Sequence, residues 1–289
     1  MAARVLVLGS SGMLGHVLAS YLRERTRLDV RDAGPRRAVF PGSLACDIMD
    51  PASVDALVRS ERPDVLVNCV GVLVKASERR KREATWINAY LPRLLSDLCR
   101  AVGCRLIHVS TDCVFSGERG PYAEDAPYDG QDFYGRSKAL GEVMDGTDLT
   151  VRTSIIGPEL RADGTGLFGW LMAQGGEVRG YRNALWSGVT TLELSKFLAY
   201  VIESLPALSG LVHYAVPGGI SKYELLRSID GAFGRGLRII PVDEPRLDKR
   251  LVATRTDAGP PPAGYAEQLA ELKAWMESHP ELYGSEASS

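Results

Sequence analysis

Tyr134 and Lys138 stand four residues apart in the segment Tyr134-Gly-Arg-Ser-Lys138. On a helix that spacing puts both side chains on one face, so an ammonium can lie beside a phenol. A neighbouring cation favours phenolate, which brings a tyrosine with an unperturbed pKa of about 10 within reach of proton transfer near neutrality. A second constellation opens the chain, where Gly9-Ser-Ser-Gly12-Met-Leu-Gly15 follows the apolar run Val5 to Leu8. A glycine-rich turn between a strand and a helix is where a dinucleotide pyrophosphate rests. Gly9 allows the tight turn, Gly12 lets the backbone approach the pyrophosphate, and Gly15 lets the helix pack close to the strand. The bland reading of the same glycines is a strand-to-helix turn without a ligand.

These residues need a scaffold, and the pattern of the chain supplies one. Arg4 to Leu8 reads as a buried strand, Met13 to Arg25 as an amphipathic helix, and Leu28 to Val30 as a short second strand. Pro51 to Ser60 reads as a helix with proline in its first turn, and Asp64 to Asn68 as the next strand. A long helix is expected from Glu83 to Val102, then a strand from Arg105 to Ser110. The helix carrying Tyr134 and Lys138 is expected over 132–145, and Leu149 to Thr153 as a strand after it. Strands alternating with helices imply βαβ units and a parallel sheet, with ligands at the carboxyl ends of the strands. Gly259-Pro-Pro-Pro-Ala-Gly264 reads as a loop before a final helix from Tyr265 to Glu277, and 285–289 as a disordered tail.

Bulk composition narrows the function classes. With 289 residues, 45% hydrophobic and 24% charged, the chain is long enough for a large core and ordinary for a globular enzyme. A formal net charge of -2 gives no reason to expect nucleic acid or an anionic membrane as partner. The N-terminal apolar run is too short for a signal peptide, and no apolar stretch approaches the roughly 20 residues of a membrane span. Cys46, Cys69, Cys99, Cys104 and Cys113 form no Cys-x-x-Cys pair, so no metal site is expected and a reduced, cytoplasmic protein is.

The tyrosine/lysine and glycine motifs, in this order and at this distance, resemble the extended branch of the short-chain dehydrogenase/reductase superfamily. Its glycines recur at every third position, as here. Within it, Thr111-Asp-x-Val-Phe-x-Gly117, Pro121-Tyr-x-Glu-Asp125, Tyr134-Gly-x-Ser-Lys138, Gly141-Glu142 and Arg152-Thr-Ser154 look like the dTDP-4-dehydrorhamnose reductase family. The resemblance runs from Arg4 to about Tyr214 and is specific through residue 154. It implies an α/β fold, a Rossmann-type doubly wound parallel sheet with a smaller C-terminal substrate-binding lobe. It also implies a cofactor domain at 1–155 and a substrate part at 156–284 with interleaved returns to the sheet.

The resemblance assigns roles residue by residue. Tyr134 would be the general acid, Lys138 its modulator and the holder of the nicotinamide ribose, and Thr111 the hydroxyl that polarises the substrate carbonyl. Cofactor contacts would fall on Gly9, Ser11, Gly12, Met13, Leu14, Gly15, Asp47, Ile48, Asn68, Cys69, Val70, Gly71, Ser110 and Thr153, besides Tyr134 and Lys138. For Asp47 the competing reading is a helix cap, because Asp50-Pro51 starts a helix. Asp32, read as ending the second strand, would hold a ribose hydroxyl and favour NAD; Arg36 and Arg37 would instead clamp a 2′-phosphate, unless they are a solvated loop. The balance leans to NADP, with NAD open. Asn88, a poor helix former inside a helix, would matter if it tunes the lysine.

Substrate contacts would fall on Val74, Thr111, Asp112, Val114, Tyr134, Phe168, Trp170, Arg182, Asn183 and Trp186. Aromatic rings would stack on thymine or uracil and Arg182 would pair with a diphosphate oxygen, although Trp170 and Trp186 read equally as core. The implied activity is NAD(P)H-dependent reduction of the 4-keto group of a dTDP- or UDP-linked 4-keto-6-deoxyhexose, by a protein for which a homodimer is compatible. Related 4,6-dehydratases follow the threonine with an Asp-Glu pair, whereas Asp112 precedes Cys113; 4-epimerases usually carry Tyr where Phe115 stands. A sugar-nucleotide epimerase, and a regulatory subunit of the methionine adenosyltransferase β type, are the alternatives. The stretches Gly71 to Lys75 and Tyr181 to Thr190 depart from the family pattern, so the sugar is expected to differ from the rhamnose precursor.

Overall fold

The computed structural model describes residues 2–35, 39–160, 164 and 166–284. The chain begins with β1 (Arg4–Leu8), α1 (Gly15–Arg25), β2 (Asp29–Gly34), β3 (Leu44–Ala45), α2 (Pro51–Glu61) and β4 (Val65–Asn68). Short helices α3 (Val74–Arg79) and α4 (Lys81–Ala84), a π-helical turn over Thr85–Tyr90 and α5 (Leu91–Val102) follow. Next come β5 (Arg105–Thr111), α6 (Phe133–Leu140), β6 (Leu149–Thr153), β7 (Ile155–Ile156) and α7 (Leu167–Met172). After β8 (Glu177–Tyr181), β9 (Ala184–Trp186) and β10 (Val189–Thr190), α8 (Thr191–Ser204) leads to β11 (Gly210–His213) and β12 (Ile220–Ser221). The chain closes with α9 (Lys222–Phe233), β13 (Arg238–Val242), β14 (Leu247–Asp248), α10 (Tyr265–Ser278) and α11 (Pro280–Tyr283).

A seven-stranded parallel sheet in the order β11-β6-β5-β4-β1-β2-β3 forms the centre. Both of its faces are covered, which is why the central strands β1 and β4 read as nearly continuous apolar runs. Val5, Leu6, Val7 and Leu8 are at most 1% exposed. Leu18 and Leu22 of α1 and Leu198 and Val201 of α8 pack on one face. Val54 and Val58 of α2 and Leu91 and Leu95 of α5 pack on the other. Strand order reverses between β1 and β4, and a ligand crevice opens at the carboxyl ends of strands where such a reversal occurs. A separate core gathers Phe168, Trp186, Leu225, Ile229, Leu272 and Trp275 beside the sheet. Although α8 and β11 come from the second half of the sequence, they belong to the layers of the main sheet.

Three elements differ from their expected bounds, each for a local reason. The second strand extends through Gly34 because β2 pairs along all of β1, from Arg4↔Asp29 to Leu8↔Ala33, so the ladder overrides the polar Arg31 and Asp32. The single helix expected from Glu83 to Val102 is interrupted by the π-helical turn just ahead of Pro92. Proline brings no N–H and crowds the carbonyl four residues back, here that of Asn88, and a widened turn accommodates it. The Tyr/Lys helix stops at Leu140 instead of reaching 145, with Gly141 as its C-cap, where only a residue without a Cβ passes this close to the Asn88 carbonyl oxygen. The expected tail 285–289 lies outside the described residues. No helix among the described residues is long and apolar enough to cross a membrane, and none of their His, Cys, Asp and Glu side chains form a group of three that could hold a metal.

Candidate active site

The glycine turn joins β1 to α1 at the point where strand order reverses. Gly9 has a φ of +96°, and its N–H donates to the Ala33 carbonyl at 2.8 Å. A Cβ on Gly15 would fall 2.1 Å from the Gly9 oxygen, so only glycine lets α1 start this close to the turn. No side chain caps α1, and no acidic residue occupies its first turn. The His16 N–H turns back to the Gly12 carbonyl at 3.3 Å, and the positive end of the helix dipole stands at a cradle suited to a pyrophosphate. Val70 closes the other side, its Cγ2 placed 3.0 Å from where a Gly9 Cβ would stand.

On the neighbouring strands β4 and β5 the reactive groups gather. Thr111 ends β5; its Oγ1 accepts from the Cys113 N–H at 3.1 Å and donates to Asp112 Oδ1 at 3.2 Å, capping the following 3-10 turn. Helix α6 is packed hard on that turn, for a Cβ on Gly135 would sit 2.1 Å from the Cys113 oxygen. Asp132 caps α6 through the Gly135 N–H at 2.7 Å. The result is Tyr134, itself buried, next to Thr111. Burial pushes the Tyr134 phenol upward, as do Cys113, Asp112 and Asp132, while a hydrogen bond with Thr111 pulls it down. Contrary to expectation, Lys138 does not draw this phenol toward neutrality. Its Nζ donates to the Val109 carbonyl at 2.7 Å and lies 3.3 Å from His108 Nε2, and burial pushes it down to about 8.

Asn88 is fully buried in the π-helical turn. Its Oδ1 accepts from the Val72 N–H at 2.8 Å, and its Nδ2 donates to the Val72 carbonyl at 3.0 Å and to Ser137 Oγ at 3.1 Å. It thereby ties the loop before α3 to α6, one residue away from Lys138.

Several expected cofactor contacts are engaged elsewhere. Asp32 does not end its strand; its buried carboxylate is held by Arg23 and by Ser43 Oγ, the latter at 2.7 Å. The residue that ends β2 is Gly34, whose absent Cβ would face Ser10 Oγ at 3.5 Å and Ser11 Oγ at 3.7 Å. Ser110 Oγ donates to Glu142 at 2.6 Å, and Thr153 Oγ1 to the Tyr214 carbonyl at 2.7 Å. Asp47 does not cap α2, a role Asp50 takes; it accepts from the Met49 N–H at 3.0 Å. Ile48 receives the Trp86 indole N–H at 2.7 Å on its carbonyl. Asn68 turns its side chain to Val70 N and His108, whereas Cys69 follows β4 beside the glycine turn and Gly71 lies near Asn88, whose Oδ1 is 3.8 Å from where its Cβ would be. Met13 reaches toward the second lobe, its Cε 2.5 Å from where a Gly166 Cβ would be, and Leu14 is buried in the main core. Arg36 and Arg37 lie outside the described residues.

A cleft of about 1130 Å³ opens toward the second lobe, lined among others by Lys75, Glu159, Trp170, Tyr181 and Lys222. Trp170, 42% exposed, is in its wall, and Val74 is exposed at the start of α3 beside Lys75. Other expected substrate contacts are structural. Phe168 meets Phe233 edge-on at 4.9 Å, Val114 is buried against Phe115, and Trp186 is buried against Tyr265. Arg182 pairs with Asp243 at 3.2 Å, and Asn183 donates to the Asp243 carbonyl at 2.8 Å, so both brace a surface turn. Sequence reasoning missed Lys222. It opens α9 inside a Ser221/Glu224 capping box, its ammonium over the Trp186 ring at 4.3 Å, and no hydrogen bond or ion pair with a described residue holds it. Burial pushes it down to about 8 against the pull of Asp112 and Cys113. A cation in the first turn of a helix sits at the unfavourable end of the dipole, and that was the available signal.

Sheet order, glycine turn and the buried Tyr/Lys helix together define a Rossmann-type nucleotide-binding fold. The chain belongs to the RmlD substrate binding domain family, whose model matches residues 3–264. A dTDP-4-dehydrorhamnose reductase of Streptomyces griseus is 40% identical over 158 residues, which cover 52% of this chain and 49% of that protein. The chain therefore spans about half the length of that relative. A Streptomyces antibioticus protein named a probable dTDP-4,6-dihydroxy-2-methyloxan-3-one 4-ketoreductase is 28% identical across 98% of this chain and 97% of its own. In fold, the chain is similar to a Bacillus anthracis dTDP-4-dehydrorhamnose reductase solved in complex with NADP, with a TM-score of 0.80, 22% identity and coverage of 95% and 100%.

Proposed function

We propose that this protein reduces the 4-keto group of a dTDP- or UDP-linked 4-keto-6-deoxyhexose, with NADPH as the hydride donor and NADH as a substitute. The observation that carries this reading is the convergence of Thr111 and Tyr134 at the end of β5, with Cys113 and not a second acid after Asp112. Tyr134 is the general acid: burial keeps its phenol protonated, so Oη holds a proton to give to an oxyanion. Thr111 Oγ1 orients the carbonyl oxygen. Cys113 is no substitute acid-base group, as burial and Asp112 push its thiol up to about 12. The nicotinamide, when bound, supplies the hydride. Residues 156–284 bring Trp170, Tyr181 and Lys222 to the substrate side of the cleft.

The two stretches that depart from the family pattern, Gly71 to Lys75 and Tyr181 to Thr190, bring Lys75, Tyr181 and Ala184 to the wall of the cleft, which supports a sugar other than the rhamnose precursor. A site that hydrogen-bonds one set of hydroxyls rejects an analogue lacking them far more strongly than an apolar pocket does. Incubation with NADPH and a panel of dTDP- and UDP-linked 4-keto sugars is therefore expected to consume NADPH, with the rhamnose precursor not the best substrate. Deuterated NADPH should leave one deuteron at C4 of the product. A changed product without deuterium means epimerisation, and no oxidation by any member of the panel sinks the reductase reading.

Gly34 supports NADPH over NADH. Where this fold often ends β2 in an acid that meets the ribose, this chain has a glycine with no carboxylate, its missing Cβ 3.5 Å from Ser10 Oγ and 3.7 Å from Ser11 Oγ. Gly34→Asp is expected to weaken NADPH binding relative to NADH by about 1–3 kcal/mol, the scale of one charged hydrogen-bonding partner. Titration of both cofactors checks it; an unchanged ratio would mean that no 2′-phosphate approaches this strand end.

A further inference from the structure

Lys138 faces an unusual neighbour. Asn68 on β4, His108 on β5 and Lys138 on α6 form a buried line, with Asn68 Nδ2 3.1 Å from His108 Nδ1 and His108 Nε2 3.3 Å from Lys138 Nζ. The direction of the amide is fixed from outside. The Val70 N–H, which can only donate, points at Asn68 Oδ1 at 3.1 Å, leaving Nδ2 toward the imidazole. Since Nδ2 also only donates, His108 Nδ1 accepts. A neutral imidazole then carries its single proton on Nε2, aimed at Lys138. An ammonium has no lone pair to receive that proton, whereas an amine has one. As an amine, Lys138 satisfies every group in the line, donating to the Val109 carbonyl at 2.7 Å and accepting from Nε2–H.

We propose that Asn68 and His108 are positioning residues that hold Lys138 as a neutral amine while it faces His108, its ammonium forming only when Lys138 turns away. The charges around the pair agree. Burial, Lys138 and Arg93 of α5 all push His108 far below the usual imidazole range. Burial pushes Lys138 down to about 8, while Glu142, beyond the end of α6, and Cys69, after β4, pull it back up. The consequence for catalysis deepens the reductase reading and rests on it: the cation that would assist Tyr134 is switched on by whatever hydroxyl draws Lys138 off His108.

The test is the tautomer itself, read by nitrogen-15 NMR of histidine-labelled protein, which needs neither cofactor nor substrate and so stands apart from the reductase reading. Above an inflection at about 8, the value to which burial brings Lys138, the expected His108 signal is a neutral ring protonated on Nε2 and bonded to the amine; below it Lys138 takes up its proton, turns away, and the signal shifts. Lys138→Met should abolish the inflection and leave the tautomer in place. A ring protonated on Nδ1, an imidazolium, or no inflection across roughly pH 7 to 9 overturns the proposal. His108→Gln assigns the signal; if it does not fold, replacing His16, His213 and His279 in turn assigns it by elimination.

Discussion

Tyr134→Phe is expected to lower turnover by roughly 10²–10⁴-fold, the range for a lost general acid, while cofactor affinity stays near that of the unaltered protein. The substitution removes one oxygen and leaves a ring of the same shape in the same buried place. No nearby group can take over the proton. Thr111 offers only an aliphatic hydroxyl, a far weaker acid than a phenol, and Lys138, one helical turn on, is directed at Val109 and His108. Single-turnover NADPH oxidation, with cofactor binding titrated separately, checks the expectation. The sign of the pH dependence follows from burial. Reduction needs the protonated phenol, and Tyr134 is raised above the ordinary tyrosine value, so loss of rate through its ionisation should come only above about pH 10. A variant with near-normal turnover would remove the tyrosine from the mechanism.

The sheet and the glycine turn were legible because each is written in adjacent residues: a continuous apolar strand, glycines at fixed offsets and a tyrosine and lysine on one helical face. Residues whose roles depend on a distant partner were not. Nothing near Asp32 in sequence announces that Arg23 and Ser43 take its carboxylate, and nothing at Ser110 announces Glu142, which lies beyond α6. Aromatic identity was a poor guide in the second lobe, because Phe168 and Trp186 fill a core while Trp170 lines the cleft. The π-helical turn is of the same kind. One long helix was expected across Pro92, and nothing adjacent to Asn88 announces that it would use the widened turn to bind the Val72 backbone in both directions.

Breaking the ion pair beneath the site should cost the most stability. Glu142 and Arg152 are 1% and 0% exposed in their side chains and meet at 2.7 and 3.0 Å through two parallel contacts. Ser110 and Tyr128 fill the remaining carboxylate positions, at 2.6 and 2.7 Å, and Arg152 also reaches His213 Nε2 at 2.8 Å and lies over the Phe115 ring at 5.0 Å. Glu142→Gln leaves a buried guanidinium without its counter-charge, and such a loss costs about 3–5 kcal/mol. Replacing both partners, as Glu142→Gln with Arg152→Met, should recover much of it, since removing the pair removes the stranded charge as well. Urea unfolding of the single and double variants checks the difference. The pH dependence adds a second reading. Burial alone would raise Glu142, but Arg152, Ser110 and Tyr128 together bring it below the usual carboxylate value. A depressed folded pKa contributes stability above the unfolded value of about 4.3 and loses it as pH falls through the folded one. The gap between unaltered protein and Glu142→Gln should therefore hold at neutral pH and close in acid. A gap that persisted in acid would place the cost in packing, and the ion pair would not be what secures the end of β5 beneath Thr111.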